Sequence, residues 1–197
     1  MRAGAWRVPE VGWLALAAVL GLGLLAFREA DSTRWDWQPG LAGTEPWRAW
    51  TAALLHWSPQ HLRMNALGLL AVALLGWRAG AQPADALAWA LAWPLTQAGL
   101  LLQPALQHYA GLSGVLHAGV AILACRLWRA AQGRARGMGA VLALGLLLKL
   151  GAEAPWVGAT RAVPGWDFAL APGAHLSGAV AGLACALLCG RLGRSAA

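Results

Sequence analysis

Charge is what this sequence has least of. Only 12% of its 197 residues are Asp, Glu, Lys or Arg, where a soluble domain carries about 25%. That deficit argues against a water-exposed globular surface. Cysteine is scarce too. Cys125, Cys185 and Cys189 lie within or at the ends of apolar segments, with no CxxC spacing. An odd count in that arrangement supplies neither a disulfide framework nor a zinc site, and packing is the default role. No ten-residue run alternates polar and apolar residues, which disfavours a transmembrane barrel. No A-x-A cleavage site follows the apolar run at 11–27, although Arg2 and Arg7 precede it. The chain continues Arg28, Glu29, Ala30, Asp31, so the run reads as an uncleaved first span. No internal repeat is clear, and residues 1–197 read as one domain.

What is present is apolar. Residues of that kind make up 59% of the chain, and the mean hydropathy is +0.53. Alanine and leucine, both strong helix formers, dominate. Six stretches have the character of membrane helices: 11–27, 61–77, 86–103, 112–128, 137–154 and 173–189. The expected fold is an all-α membrane protein, a bundle of six transmembrane helices in a lipid bilayer. Its connections are expected to be short except the first. That long loop, 28–60, carries Trp35, Trp37, Trp47, Trp50 and Trp57. So many indoles predict a membrane-associated segment lying at headgroup level.

The formal net charge is +7. The arginines sit mostly in loops and ends, where they set topology more simply than they bind nucleic acid. With the N-terminus in the cytoplasm, the inner side holds Arg2, Arg7, Arg78, Arg126, Arg129, Arg134, Arg136, Arg191 and Arg194. The outer side holds Arg28, Arg34, Arg48 and Arg161, against five acidic residues: Glu29, Asp31, Asp36, Glu45 and Asp167. Both termini are therefore expected in the cytoplasm.

Polar residues inside spans are expensive and mark candidate functional positions. They are His61 with Asn65, Ser113, His117, Lys149 with Glu153, and His175. The predicted topology puts His61, Asn65, Ser113 and His175 at similar depth, on three different spans near the outer side. Span four is short, ~25 Å at ~1.5 Å per residue against a ~30 Å hydrocarbon core. The polar stretch before it holds Gln103, Gln107 and His108, and irregular backbone at that depth is tolerated beside a water-filled cavity.

Ser113 stands in Gly111-Leu112-Ser113-Gly114. Flanking glycines allow close backbone approach, and a helix N-terminus offers free N–H groups to a developing oxyanion. A serine hydroxyl needs an adjacent base, and His175 is the candidate at matching depth. Asn65 and His61 could add donors to an oxyanion hole. Each element has a plainer reading. Gly and Ser are ordinary helix-contact residues in membranes, and Gly178 and Gly182 form a small-residue face that would seat span six on span four. His61 and Asn65 could be a polar clamp between helices, and Lys149 with Glu153 an intrahelical ion pair. The shared depth of the set favours catalysis.

At these residues the chain resembles the rhomboid intramembrane proteases. Three blocks carry the resemblance, in family order, from Glu45 onward. The first runs from Glu45-Pro46-Trp47-Arg48 through His56 to His61-x3-Asn65. The second is Gly111-Leu112-Ser113-Gly114, and the third is Gly173-Ala174-His175-Leu176-Ser177-Gly178. The resemblance implies a six-helix rhomboid-like core with a water-filled cavity open to the outer side. It implies Ser113 as nucleophile, His175 as general base, and an oxyanion hole from His61, Asn65 and the Ser113 N–H. It implies a Ser-His dyad with no metal or cofactor, and no buried Asp stands where it would make a triad.

His117 replaces the tyrosine that many family members carry one turn after the serine. Sharing a face with Ser113, it stays open as an alternative base. The run from Tyr109 to His117, and the Lys149-x3-Glu153 pair, resemble the rhombosortase branch. That branch implies exported substrates with a C-terminal Gly-Gly, an apolar helix and a basic tail, in a bacterial inner membrane. Lys149 and Glu153 are then candidates for a substrate gate, and Gly111, Gly114 and His117 for supporting roles. A catalytically inactive rhomboid-like protein that escorts membrane helices is the alternative. A small transporter would show paired repeats and interrupted helices, and neither is apparent.

Overall fold

Helix boundaries follow local chemistry throughout the computed structural model, which describes residues 10–129 and 133–195. Helix α1, Val11–Ala26, buries Trp13, Ala17, Leu20 and Leu24 along one stripe and leaves Val11, Val19, Leu22 and Leu25 exposed. A helix apolar on every face needs a non-aqueous surround. The first loop folds into two short helices. In α2, Ser32–Trp35, the Asp31 carboxylate caps the Thr33 N–H at 3.0 Å. A 3-10 turn at Pro39–Leu41 leads to α3, Arg48–Thr51, and a second 3-10 turn at Ala52–Leu54 follows. Helix α4, Pro59–Arg78, starts with Ser58 accepting from the His61 N–H at 3.1 Å and with proline at its first position, two standard start signals. Helix α5, Pro83–Ala98, opens on a Gln82–Asp85 capping box and runs into a 3-10 turn at Gly99–Leu102.

Helix α6, Ser113–Trp128, occupies the centre, with nine buried residues and neighbours α4, α5, α7 and α8. Helix α7, Arg134–Glu153, is peripheral and buries only Gly139 and Leu150. It ends at Ala154, whose left-handed φ of 48° closes the helix. Helix α8, Pro172–Ser195, returns between α5 and α6. Two stacked indoles tie the inner helices together. Trp13 and Trp89 lie 4.3 Å apart, and their ring N–H groups donate to the Val72 and Val115 carbonyls. Buried indoles need such acceptors. Cys185 and Cys189 are buried free thiols in the same core.

All six apolar stretches are helical. Two helices, Arg134–Glu153 and Pro172–Gly190, have the length and hydropathy to cross a membrane. Helices α1 and α6 are apolar but shorter. Among the described residues the only strand-like pairings are two isolated bridges, Trp37 with Tyr109 and Arg161 with Leu170. The arginines at 2 and 7, and the side chains of those at 191 and 194, lie outside what the structure describes.

Two expectations about the loops are corrected. The first loop is not the only long connection: residues 154–171 join α7 to α8 without a helix of their own. Nor do all five indoles lie at the surface. Trp47, Trp50 and Trp57 are exposed, but Trp37 is buried against Leu100, Leu106 and Tyr109. Its backbone pairs with Tyr109 in both directions, at 2.8 and 2.9 Å. Composition could not distinguish an anchor inside the loop from indoles facing lipid headgroups.

The loop is held by a buried arginine. Arg48 donates to the Asp36 carboxylate at 3.2 Å, to the Asp36 carbonyl at 2.9 Å and to Glu45 at 2.6 Å. His108 meets the other Asp36 oxygen at 2.7 Å. Asp36 is fully buried, so its charge depends on these partners. The network ties the first loop to the segment just before α6.

Candidate active site

The start of α6 is built by glycine. Gly111 has φ +135°, and a side chain there would meet His61 Nε2 at 2.7 Å. Only glycine fits both the backbone and the space. Its N–H donates to the Ala52 carbonyl at 2.9 Å, and Tyr109 donates its hydroxyl to the Gly111 carbonyl at 2.9 Å. Burial pushes the Tyr109 phenol up to about 12, so it stays a neutral donor. Ser113 is then the first residue of α6, where backbone N–H groups lack intrahelical partners.

Close packing of α8 on α6 brings the histidine to the serine. A side chain at Gly178 would run into the Gly114 carbonyl, and one at Gly182 into the Ala118 carbonyl. This is the small-residue seat expected from the sequence. Gly114 itself faces Thr96 and the Ala174 carbonyl. A side chain there would meet both, so the glycine allows the close backbone approach of α8 beside Ser113. His175, in the first turn of α8 and 4% exposed, then sets Nε2 at 2.9 Å from Ser113 Oγ. That distance is within reach for proton transfer.

His117 lies parallel to His175, with centroids 4.2 Å apart and planes 9° from parallel. Its Nδ1 is 2.7 Å from the Ser113 carbonyl oxygen, which can only accept. That ring nitrogen therefore carries the proton. His117 takes a stacking position against His175, while Ser113 Oγ pairs with His175.

On the opposite wall, His61 Nδ1 accepts the Trp57 N–H at 3.3 Å. Its proton is consequently on Nε2, the nitrogen beside Gly111. Asn65 Nδ2 is buried with no hydrogen-bond partner among the described residues. An orphaned buried donor is costly and asks for an explanation. Both donors and Ser113 line a cavity of ≈210 Å³ with His117, His175, Lys149 and Glu153. Seven of the nine sequence-derived candidates, all but Gly111 and Gly114, thus converge on one space. Larger clefts beside Asp85 and Arg126, and between α1 and α4, hold none of them.

Two features went unread in the sequence. The 154–171 connection covers the site: Phe168 stacks on His61 at 3.9 Å. It is pinned by Ser58 donating to Asp167 at 2.6 Å and by Gln60 donating to the Gly165 carbonyl at 3.0 Å. Its length was the available signal. The second is the contact of Glu153 with His175; the sequence offered Glu153 only as a partner of Lys149 and a candidate for a substrate gate. Glu153 Oε2 lies 2.6 Å from His175 Nδ1, and its Oε1 receives Lys149 Nζ. Among the described residues no aspartate stands beside the histidine; a glutamate at the end of another helix does. His117, Glu153 and His175 also offer ligand atoms within 4.8 Å of one another. The His117 Nδ1 proton and the His175–Glu153 hydrogen bond already engage most of them.

Residues 43–192, well over half of the chain, match the profile of the rhomboid domain. No curated protein matches the chain. The matched region contains the serine, every histidine of the cavity and the glycine contacts that bring them together, and two of its helices are long and apolar enough to cross a membrane. The chain belongs to the rhomboid family, integral membrane proteins that are in general intramembrane serine proteases.

Proposed function

We propose that this chain is a single rhomboid-type domain, spanning the membrane six times with both termini in the cytoplasm, that cleaves membrane-anchored proteins near the outer end of their anchors. The observation carrying the reading is the 2.9 Å approach of His175 Nε2 to Ser113 Oγ, facing the unpartnered Asn65 amide across one cavity. Ser113 Oγ attacks the scissile carbonyl carbon, and its proton passes to His175 Nε2. The carbonyl electron pair moves onto oxygen, toward the Nε2–H of His61, the Asn65 amide and the Ser113 N–H. Collapse breaks the C–N bond, and the leaving amine takes the proton from His175. Water or another amine then resolves the acyl-enzyme.

The rhombosortase resemblance suggests the substrate class: exported proteins with a C-terminal Gly-Gly, an apolar helix and a basic tail in a bacterial inner membrane. Glycines unwind a helix end, and an attacked peptide must be extended. A basic tail held in the cytoplasm would put the Gly-Gly at the outer side, level with Ser113.

A fluorophosphonate probe on the purified chain in detergent tests the assignment. Labelling should require Ser113 and His175 and survive His117→Ala. Dependence on His117 with indifference to His175 would make His117 the base. A folded wild type that no probe labels would mean an inactive, helix-binding rhomboid.

A further inference from the structure

Glu153 stands where a carboxylate is hard to keep. It closes α7, on the last helical turn, where the macrodipole disfavours negative charge. It belongs to a helix read as a membrane span, where ionisable groups are expensive. Its side chain is only 12% exposed. Helix formation does not require it, since Ala154 already ends the helix through its left-handed backbone.

What Glu153 contacts is specific. Its two oxygens are divided between two partners: Oε1 takes Lys149 Nζ, one turn earlier on the same face, and Oε2 takes His175 Nδ1 at 2.6 Å. Lys149 lines the cavity and its side chain is half exposed, while the His175 side chain is 5% exposed. The lysine therefore stabilises the ionised carboxylate from the open side and leaves its inner oxygen to the imidazole.

The consequence for His175 is chemical. A carboxylate oxygen accepts, so Nδ1 must donate, and the lone pair is left on Nε2, facing Ser113 Oγ. The other tautomer would direct an N–H at the serine and could not take its proton. The His117 stack holds the ring plane but leaves the tautomer free, because its Nδ1 proton is spent on the Ser113 carbonyl.

We propose that Glu153 is a positioning residue that completes a Ser113–His175–Glu153 triad, with Lys149 holding its carboxylate. This rests on the reading of Ser113 and His175 given above. When Ser113 Oγ bonds to the substrate carbonyl carbon, the hydroxyl proton moves to His175 Nε2. The imidazolium then lies between its new Nε2–H and the Nδ1–H that Glu153 accepts. Glu153 stays ionised and gains no proton, and the Nε2 proton leaves with the amine when the C–N bond breaks.

The test uses the full chain in detergent micelles with a fluorophosphonate probe, separating the limiting labelling rate from probe affinity. Glu153→Gln and Glu153→Ala should lower the limiting rate about 100-fold or more, with affinity for the probe unchanged. Glu153→Asp should recover part of the loss. A packing role predicts instead that isosteric Gln is harmless and shortened Asp is the worse of the two. Proton NMR of the wild type should also show a far-downfield His175 Nδ1–H that disappears in His175→Ala. That reading stands even if the Glu153 variants do not fold. Labelling of Glu153→Gln at the wild-type rate, with Ser113 still required, would overturn the triad and leave the dyad. A folded wild type whose Ser113 is never labelled would overturn both.

Discussion

One methyl group added at Gly111 tests the proposed oxyanion wall directly. In Gly111→Ala the new carbon would sit 2.7 Å from His61 Nε2 and 2.8 Å from Cε1. Ordinary contacts begin near 3.4 Å, so the ring must retreat by 3.4 − 2.7 = 0.7 Å. It has little freedom to do so. Phe168 is stacked on one face at 3.9 Å, His56 meets it edge-on at 4.7 Å, and the Trp57 N–H holds Nδ1. The φ of +135° adds about 1–3 kcal/mol of backbone strain for any residue with a side chain. Displacing one oxyanion donor costs ~3 kcal/mol in acyl-transfer enzymes, or roughly 10²–10³ in kcat. The expected result is a folded variant, about 1–3 kcal/mol less stable, whose fluorophosphonate labelling is slower by about two orders of magnitude. Gly145→Ala is the control. Nothing lies within 4 Å of its new carbon, and alanine in a helix interior is neutral to mildly stabilising. Wild-type labelling by Gly111→Ala with unchanged thermal stability would refute the reasoning.

Two further outcomes concern the first loop. Arg48→Ala strands the buried Asp36 charge and should destabilise the fold by about 3–5 kcal/mol, read by chemical unfolding in micelles; a loss no larger than that of an exposed substitution would show that the network carries little. Burial lowers the His56 pKa from 6.5 to about 4. As pH falls, the unfolded chain binds that proton first, so its stability contribution is full above about 6.5 and fades toward 4, by about 3 kcal/mol at most. His56→Gln should flatten the fall in stability across that window, and identical slopes for variant and wild type would contradict it.

Composition and spacing made the class legible. Scarce charge, abundant alanine and leucine, and six long apolar stretches demand helices, and all six stretches are helical, two of them long and apolar enough to cross a membrane. Ser113, His175, His61 and Asn65 stood out because a polar residue in an apolar segment needs a reason, and all four line one cavity. The glycine face of α8 was legible for the same reason: its spacing repeats with the helical turn, and it meets the Gly114 and Ala118 carbonyls.

Other features depended on long-range approach, which local pattern does not encode. Trp37 looked like its neighbouring indoles until the loop folded back and paired it with Tyr109. The 154–171 connection carries no helical periodicity, yet it lays Phe168 over His61. Glu153 had a complete local explanation in Lys149, four residues away on the same helix. Only the packing of α8 beside the end of α7 gave its second oxygen a partner. Sequence separation hid that contact: the connection 154–171 lies between Glu153 and His175, and nothing in its local pattern says that the first turn of α8 comes back to the end of α7.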